Sequence, residues 1–330
     1  MTSFRFLGSF AFAAVIGSSA AASDLNVRVE SGGSTSIIVR PGEVVSYDVI
    51  GELTDNLNQG LGLVLLDLSF DGGDLAQANS PVGAPMTGFD KPFGVTNPAG
   101  FGGTVQSGNL IQIGGGQNTI NSTFAAFPMG AVTTGVGANG SPETIVNGSL
   151  TAPTQYGTYT LSATNVTANV IRSGETGVPF WRVDQATQGT VTNLTIQVIS
   201  LSTSVSSISL SAGGSQDFQI DGGDANNGEL YWLIASASGS SPGFMVAPNN
   251  LTVPLNPDAL FNFMLTHPSP NAWVNNLSFL NGTGQNTASL NVPPGMDPSL
   301  AGITLTHAFS VFDPGFITLT SNHVDVTLVP

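Results

Sequence analysis

Residues 41–75 read PGEVVSYDVIGELTDNLNQGLGLVLLDLSFDGGDL, and this stretch decides the fold. It opens on a Pro-Gly turn and passes into alternation, with Val45, Tyr47 and Val49 on one side and Val44, Ser46 and Asp48 on the other. Period two is strand geometry, because successive side chains leave a pleated backbone on opposite faces. After an Asn-rich connection, residues 61–70 (LGLVLLDLSF) are mostly apolar and close on Asp71-Gly72-Gly73-Asp74, a turn composition. A half-buried strand followed by a nearly all-buried one is what the heart of a β-sandwich needs.

Upstream, Leu25-Asn26-Val27-Arg28-Val29 alternates as a first strand, and Ile37-Ile38-Val39 leads into the Pro41-Gly42 turn. Downstream, Gly, Pro, Asn and Thr dominate residues 76–140, where only short pieces such as Leu110-Ile111-Gln112-Ile113 read as strands. A long segment of this kind in a compact domain is usually a functional loop region or a set of short edge strands. Alternation returns at 158–166 and 191–199. Residues 200–207, nearly all small and polar, read as a linker. A second module then repeats the opening of the first: an apolar start at Ile208, a Gly213-Gly214 turn and an alternating run to Ile220. Further strands are expected at 229–235, 288–292, 303–312 and 316–320. No stretch after the leader sustains a 3.6-residue period, so helices should be short and few. The expectation is an all-β chain: a signal peptide over 1–22, then two β-sandwich domains in tandem, 23–202 and 203–330.

Composition agrees. A chain of 330 residues with 41% hydrophobic content can bury two cores, so the charged fraction of 8% does not signal disorder. The formal charge of −15 opposes binding to nucleic acid and to anionic lipid, and an acidic exterior keeps a Ser/Thr/Asn-rich surface soluble. With no cysteine there are no disulfides, no thiolate zinc sites and no thiol catalysis. Met1 to Arg5 is weakly basic, residues 6–16 are largely apolar, and Ala20-Ala21-Ala22 offers a small-residue cleavage site. The apolar part is too short to span a bilayer, and residues 324–330 form an alternating strand without a hydrophobic tail, so membrane insertion is not expected.

Residues 25–199, through the Gly42-x-x-Val45-x-Tyr47-x-Val49 strand and the Gly-Leu-containing strand closing on the acidic turn, resemble cohesin-like domains. Cohesin-like folds share their architecture with carbohydrate-binding modules. The Gly114-Gly115-Gly116-Gln117-Asn118-Thr119 segment departs from the family's pattern. The second module, through Leu210-Ser211-Ala212-Gly213-Gly214-Ser215-Gln216 and residues 305–313, is similar to a β-rich domain of secreted proteins of planctomycete-like bacteria. That resemblance implies a compartment and no chemistry.

Few residues suggest a site. Gly239-Ser240-Ser241-Pro242-Gly243 fits the spacing of a nucleophile elbow, but the position after the nucleophile must donate a backbone N–H, and Pro242 has none. His267, His307 and His323 lack metal-ligand spacing, although His323 and Asp325 share a strand face. Acidic turns are better cation candidates. Asp67, Asp71 and Asp74 cluster at one, and Asp221, Asp224, Asn226 and Glu229 at a second, where flexible oxygen ligands suit Ca²⁺. Asp-Gly sequences are also what plain hairpin turns use. Trp181, Tyr231, Trp232 and Trp273 are the aromatics available to stack on sugar rings. Adjacent Tyr231 and Trp232 must point to opposite faces, and Trp273 follows Ser269-Pro270-Asn271 in loop context. The function expected is a secreted or cell-surface, monomeric, non-enzymatic binding or adhesion protein that recognises a polysaccharide or a surface partner protein. A structural spacer is the alternative, and a glycoside or ester hydrolase comes third.

Overall fold

A computed structural model describes residues 23–54, 61–78, 102–116, 142–172, 182–313 and 315–330. The expected signal peptide, Trp181 and most of the Gly/Asn-rich middle lie outside them. The first ten strands are β1 (Asp24–Glu30), β2 (Ser36–Val39), β3 (Val44–Leu53), β4 (Leu61–Phe70), β5 (Gly102–Gln106), β6 (Asn109–Gly116), β7 (Glu143–Thr151), β8 (Gly157–Arg172), β9 (Arg182–Thr192) and β10 (Leu194–Val198). One layer runs β7-β3-β1-β9, and the other runs β5-β6-β4-β8-β10-β2. Strand β9 belongs to both, pairing with β8 through residues 182–186 and with β1 through 187–192.

The alternation of β3 is realised as read: Val45, Tyr47 and Val49 are buried, and they meet Val27 and Val29 of β1, Leu66 and Leu68 of β4, Leu161 of β8 and Ile196 of β10 in one core. The run expected at 191–199 is two strands in different layers. Thr192 ends β9 beside β1, and Leu194 begins β10 beside β8 and β2. The corner is Asn193, whose Oδ1 accepts the Ala163 N–H at 3.3 Å.

Strand β4 is bulged against both neighbours, between Leu65 and Asp67 on the β8 side and between Leu66 and Leu68 on the β6 side. Gln112 (φ 56°) and Asn165 (φ 51°) take left-handed backbone there. Asp67 serves both bulges: Oδ1 accepts the Gln112 N–H at 2.7 Å and Oδ2 accepts the Asn165 amide at 2.6 Å. Hydrogen bonds to a carboxylate are stronger than neutral ones. Asp67→Ala is therefore expected to cost about 2 kcal/mol in urea unfolding with an unchanged m-value. A loss below about 0.5 kcal/mol, within the range of ordinary surface changes, would mean that the bulges hold without the carboxylate.

The remaining elements are β11 (Leu201–Thr203), β12 (Ser207–Ser209), β13 (Gly214–Asp221), β14 (Leu230–Ser236), β15 (Phe244–Val246), β16 (Leu251–Val253), α1 (Ala259–Thr266), β17 (Trp273–Val274), β18 (Leu277–Phe279), β19 (Gln285–Val292), β20 (Thr304–Asp313), β21 (Phe316–Thr320) and β22 (Val324–Val329). The sheet β11-β13-β19-β17 faces the sheet β12-β22-β20-β14-β18, with β21 added on β20. Phe218, Ile220, Leu290, Tyr231, Leu233, Phe309 and Val311 fill the space between. The chain is thus an all-β protein of two sandwiches in tandem.

Residues 200–207 are not the expected linker, because Leu201–Thr203 pairs with β13 and Ser207–Ser209 with β22. Buried Val198 closes the first core and buried Leu201 opens the second. Small polar residues serve here as short edge strands, which need only their backbone to pair.

The second sandwich has a third layer. The β15–β16 hairpin and α1 cover the outer side of β14 and β20, where Val253, Leu255, Phe261 and Met264 meet Ile234 and Ala308. Both faces of β14 are covered, which explains its near-continuous apolar run. Asp258 starts the helix. Its Oδ1 accepts the Phe261 N–H at 2.8 Å, and its Oδ2 accepts the Ser236 hydroxyl at 3.0 Å and the Ala237 N–H at 2.7 Å. No helix among the described residues is long and apolar enough to cross a membrane.

Candidate functional site

Adjacency on β14 sends Tyr231 and Trp232 to opposite faces, and both faces are interior. Tyr231 is fully buried, donates its hydroxyl to the Asn275 carbonyl at 2.5 Å, and has its pKa pushed up to about 12 by burial. Trp232 packs against the α1 layer with its Nε1 buried and, among the described residues, without a hydrogen-bond partner. Trp273 is not in a loop. The Pro270 turn (Trp273 N–H to Pro270 carbonyl, 2.9 Å) hands it directly to β17, opposite Leu290. Its indole enters the core and donates from Nε1 to His307 Nε2 at 3.4 Å. A strand of two residues is too short to show alternation, so the turn composition dominates the sequence pattern there. These three rings do not form an exposed platform for stacking sugars.

His307 is sealed between the sheets, with Phe218 at 4.6 Å and Trp273 at 6.3 Å between ring centroids. An indole N–H can only donate, so Nε2 is the acceptor and the imidazole proton sits on Nδ1. Burial holds the His307 pKa down at about 3, against a smaller pull upward from the Leu305 backbone. His323 and Asp325 are exposed, and Asp325 Oδ1 accepts the Thr306 hydroxyl at 2.7 Å. His267 stacks on Phe263 at the end of α1. Among the described residues no three His, Asp or Glu side chains group as a metal site would. Residues 239–243 lead into strand β15 rather than a helix, and the Gly243 N–H is held by Asn256 Oδ1 at 3.1 Å.

The second acidic turn already holds a cation, a guanidinium. Arg40, from the turn between β2 and β3, pairs through Nε with Asp221 Oδ2, and its Nη2 reaches Asp221 Oδ1 at 3.1 Å and Asp224 Oδ1 at 3.4 Å. Gln285 Nε2 and the Gly223 N–H complete the Asp221 carboxylate at 2.7 and 2.9 Å. Asn226 turns its amide to the Gly222 carbonyl at 2.7 Å, and the Glu229 N–H bonds the Asn226 carbonyl at 3.2 Å. The oxygens read as calcium ligands are thus committed to protein donors at Asp221. At the first turn Asp67 is committed likewise, and Asp71 Oδ1 accepts the Thr160 N–H at 2.7 Å. The sequence cannot signal this, since Arg40 lies 181 positions from Asp221.

What remains is surface. The two outer faces of the first sandwich differ in kind. On the β7-β3-β1-β9 side, Arg28 pairs with Glu30 at 2.6 Å, and burial together with Glu30 raises the pKa of Asp48. A depression of about 190 Å³ lies there among Asn26, Arg28, Ile50, Glu52 and Thr190. On the β5-β6-β4-β8-β10-β2 side the register aligns short neutral groups. Ser36, Thr195 and Thr160 make one row, Ile38, Gln197 and Thr158 the next, and Ser69 and Ser162 another. Asp67 is the charge among the described side chains of these six strands, and its two oxygens are occupied as above. The outer face of β13 and β19 in the second sandwich carries hydroxyls and amides together with Asp217 and Asp221, with depressions of about 270 and 350 Å³ beside Gln219 and Thr287.

Fold and surface together define a two-sandwich β-protein whose polar chemistry lies on open sheet faces. No protein-family model matches the chain, and no curated protein matches it in sequence. Among solved structures it is similar to the seventh ScaB type I cohesin from Pseudobacteroides cellulosolvens, at 12% identity and a TM-score of 0.28 over 53% of this chain and 92% of that one. It is similar also to the type II cohesin dyad from the adaptor ScaA scaffoldin of Acetivibrio cellulolyticus, at 11% identity and a TM-score of 0.25 over 93% and 97%. A third is BcpA, the major pilin subunit of Bacillus cereus, at 8% identity and a TM-score of 0.26 over 93% and 69%. At such TM-scores the likeness adds nothing to the strand pairing and cores, on which the fold class rests.

Proposed function

We propose that this is an exported, non-enzymatic adhesion or binding protein that engages a partner protein through the neutral β5-β6-β4-β8-β10-β2 face. The observation that carries this is the row of Ser and Thr side chains crossing β2, β10 and β8. Burying short hydroxyl side chains costs little rotamer entropy and strips no charge of water, whereas the opposite face would have to desolvate Arg28, Glu30 and Asp48. An open face of this width suits another protein surface better than a small ligand. Among the described residues Tyr231, Trp232 and Trp273 point inward and offer a polysaccharide no stacking platform. Export rests on the leader composition of residues 1–22 and on the resemblance of the second module to secreted proteins. The protein works as a monomer and uses no cofactor. The spacer reading is favoured by one observation, the closeness of Val198 and Leu201 at the junction of the two cores.

The test is binding of the labelled mature protein to cell envelopes of its host. Thr160→Arg with Thr164→Arg is expected to abolish it, while Thr190→Arg on the opposite face leaves it intact. Protease treatment of the envelopes should remove the binding and glycan oxidation should not. The reverse pattern would make the partner a polysaccharide, and no binding at all would leave the spacer.

A further inference from the structure

We propose that Arg40 is an intramolecular latch that fixes the two sandwiches at one orientation, so that the chain acts as a single rigid body. Of the ion pairs among the described residues, Arg28–Glu30 is local, whereas Arg40 spans the junction to reach Asp221 and Asp224. Both sides of the latch are preorganised. The Arg40 N–H is held by Glu43 Oε2 at 2.8 Å, and the Glu43 N–H returns to the Arg40 carbonyl at 3.2 Å, fixing the turn that aims the guanidinium. Asp221 is held by Gln285 and by the Gly223 N–H, and a further Arg40 contact reaches the Thr283 carbonyl at 3.0 Å. A planar fork facing a fixed carboxylate selects one orientation, which a flexible ammonium would not.

Backbone packing at the same place supports the latch independently. Gly223 has φ 78°, and a Cβ there would lie 2.5 Å from the Pro41 carbonyl oxygen. Gly284 has φ 70°, and its Cβ would lie 1.9 Å from the Gly223 carbonyl oxygen. Two glycines thus let the loops of the second sandwich close onto the Pro41 turn of the first. The connection between the cores is tied as well. The Ile199 N–H bonds the Val39 carbonyl at 3.1 Å, and the N–H groups of Ser200 and Leu201 share Asn322 Oδ1 at 3.0 and 2.9 Å. These bonds place the pivot, and Arg40 stops rotation about it. The consequence holds whatever the partner is: the sheet faces of the two sandwiches are presented at a fixed mutual angle.

The absence of cysteine allows clean spin labelling at Thr167→Cys and Ala301→Cys, both exposed and one on each sandwich. In the full mature chain the latch predicts a single narrow distance distribution by pulsed electron resonance. Arg40→Ala should broaden it severalfold without changing the circular dichroism spectrum, Arg40→Asp should broaden it further, and Arg40→Asp with Asp221→Arg should narrow it again. A distribution already broad in the parent chain, or one equally narrow in Arg40→Ala, would overturn the proposal. Should the charge reversals fail to fold, the Arg40→Ala result decides alone.

Discussion

Acidifying the protein from pH 7 to pH 5 is expected to lower its unfolding free energy by about 2 kcal/mol, and by roughly 3 kcal/mol at pH 4, through His307 alone. The folded state holds this imidazole neutral with a pKa of about 3, whereas the unfolded chain offers the ordinary value near 6.5. Between those values the unfolded state binds the extra proton, so stability falls as pH drops through 6.5 and stops falling below the folded value. The Asp258 carboxylate acts in a different window. Hydrogen bonds from Phe261, Ser236 and Ala237 hold the Asp258 pKa below its usual range despite the opposing effect of burial, so its stabilisation is lost only under stronger acid. Thermal melts at pH 7, 6, 5 and 4.5 should therefore show the decline in the parent chain. In His307→Leu, which packs between Phe218 and Trp273 without titrating, most of it should disappear. An identical decline in both proteins would place the responsible group elsewhere and would mean that His307 reaches water.

Removing the Phe261 ring should have the other large effect. Phe261 is buried in the third layer and meets Phe244 edge to face, with centroids 5.2 Å apart. Truncating a buried phenylalanine costs about 3–5 kcal/mol, from lost transfer energy and an unfilled cavity. Because α1 and the hairpin are held to the sheet by few buried side chains, Phe261→Ala should also loosen them and let water reach Trp232. Denaturant unfolding of the variant should show the loss of stability, and its native tryptophan emission should shift to the red. A loss under about 1 kcal/mol with unchanged emission would show that the layer does not depend on this ring.

The sequence reports burial on a strand far better than it reports what covers the strand's second face. In β3 the polar half of the alternation, Ser46 and Asp48, marks the outward side, so the strand was legible residue by residue. In β14 no polar half exists, and the run is compatible with any fully enclosed strand. The cover itself is hidden because the segment ALFNFMLT of α1 is apolar nearly all round: Phe261 and Met264 turn inward while Phe263 and Leu265 stay exposed. The corner at Asn193 did leave a trace, since apolar spacing slips from two to three between Val191 and Leu194.

The candidate sites were less legible, for a reason of range. Trp273 looks exposed because its neighbours are turn formers, but its direction is set by Leu290 across the sheet and by His307 behind it. Asp221 looks like a free ligand until Arg40, far away in sequence, is placed against it. Local composition predicts turns correctly and says nothing about the partner that occupies them. The neutral face of the first sandwich is a property of register: Ser36, Thr195 and Thr160 come together only through β2, β10 and β8.

Amide hydrogen exchange of the intact chain near pH 7 tests the underlying claim, two separately sealed cores with the open polar faces outside them. The slowest amides are expected in two groups, one in β3, β4 and β8 and one in β13, β14 and β20, with α1 exchanging sooner than the strands it covers. Slow exchange confined to one group, or a helix that outlasts the strands, would contradict it.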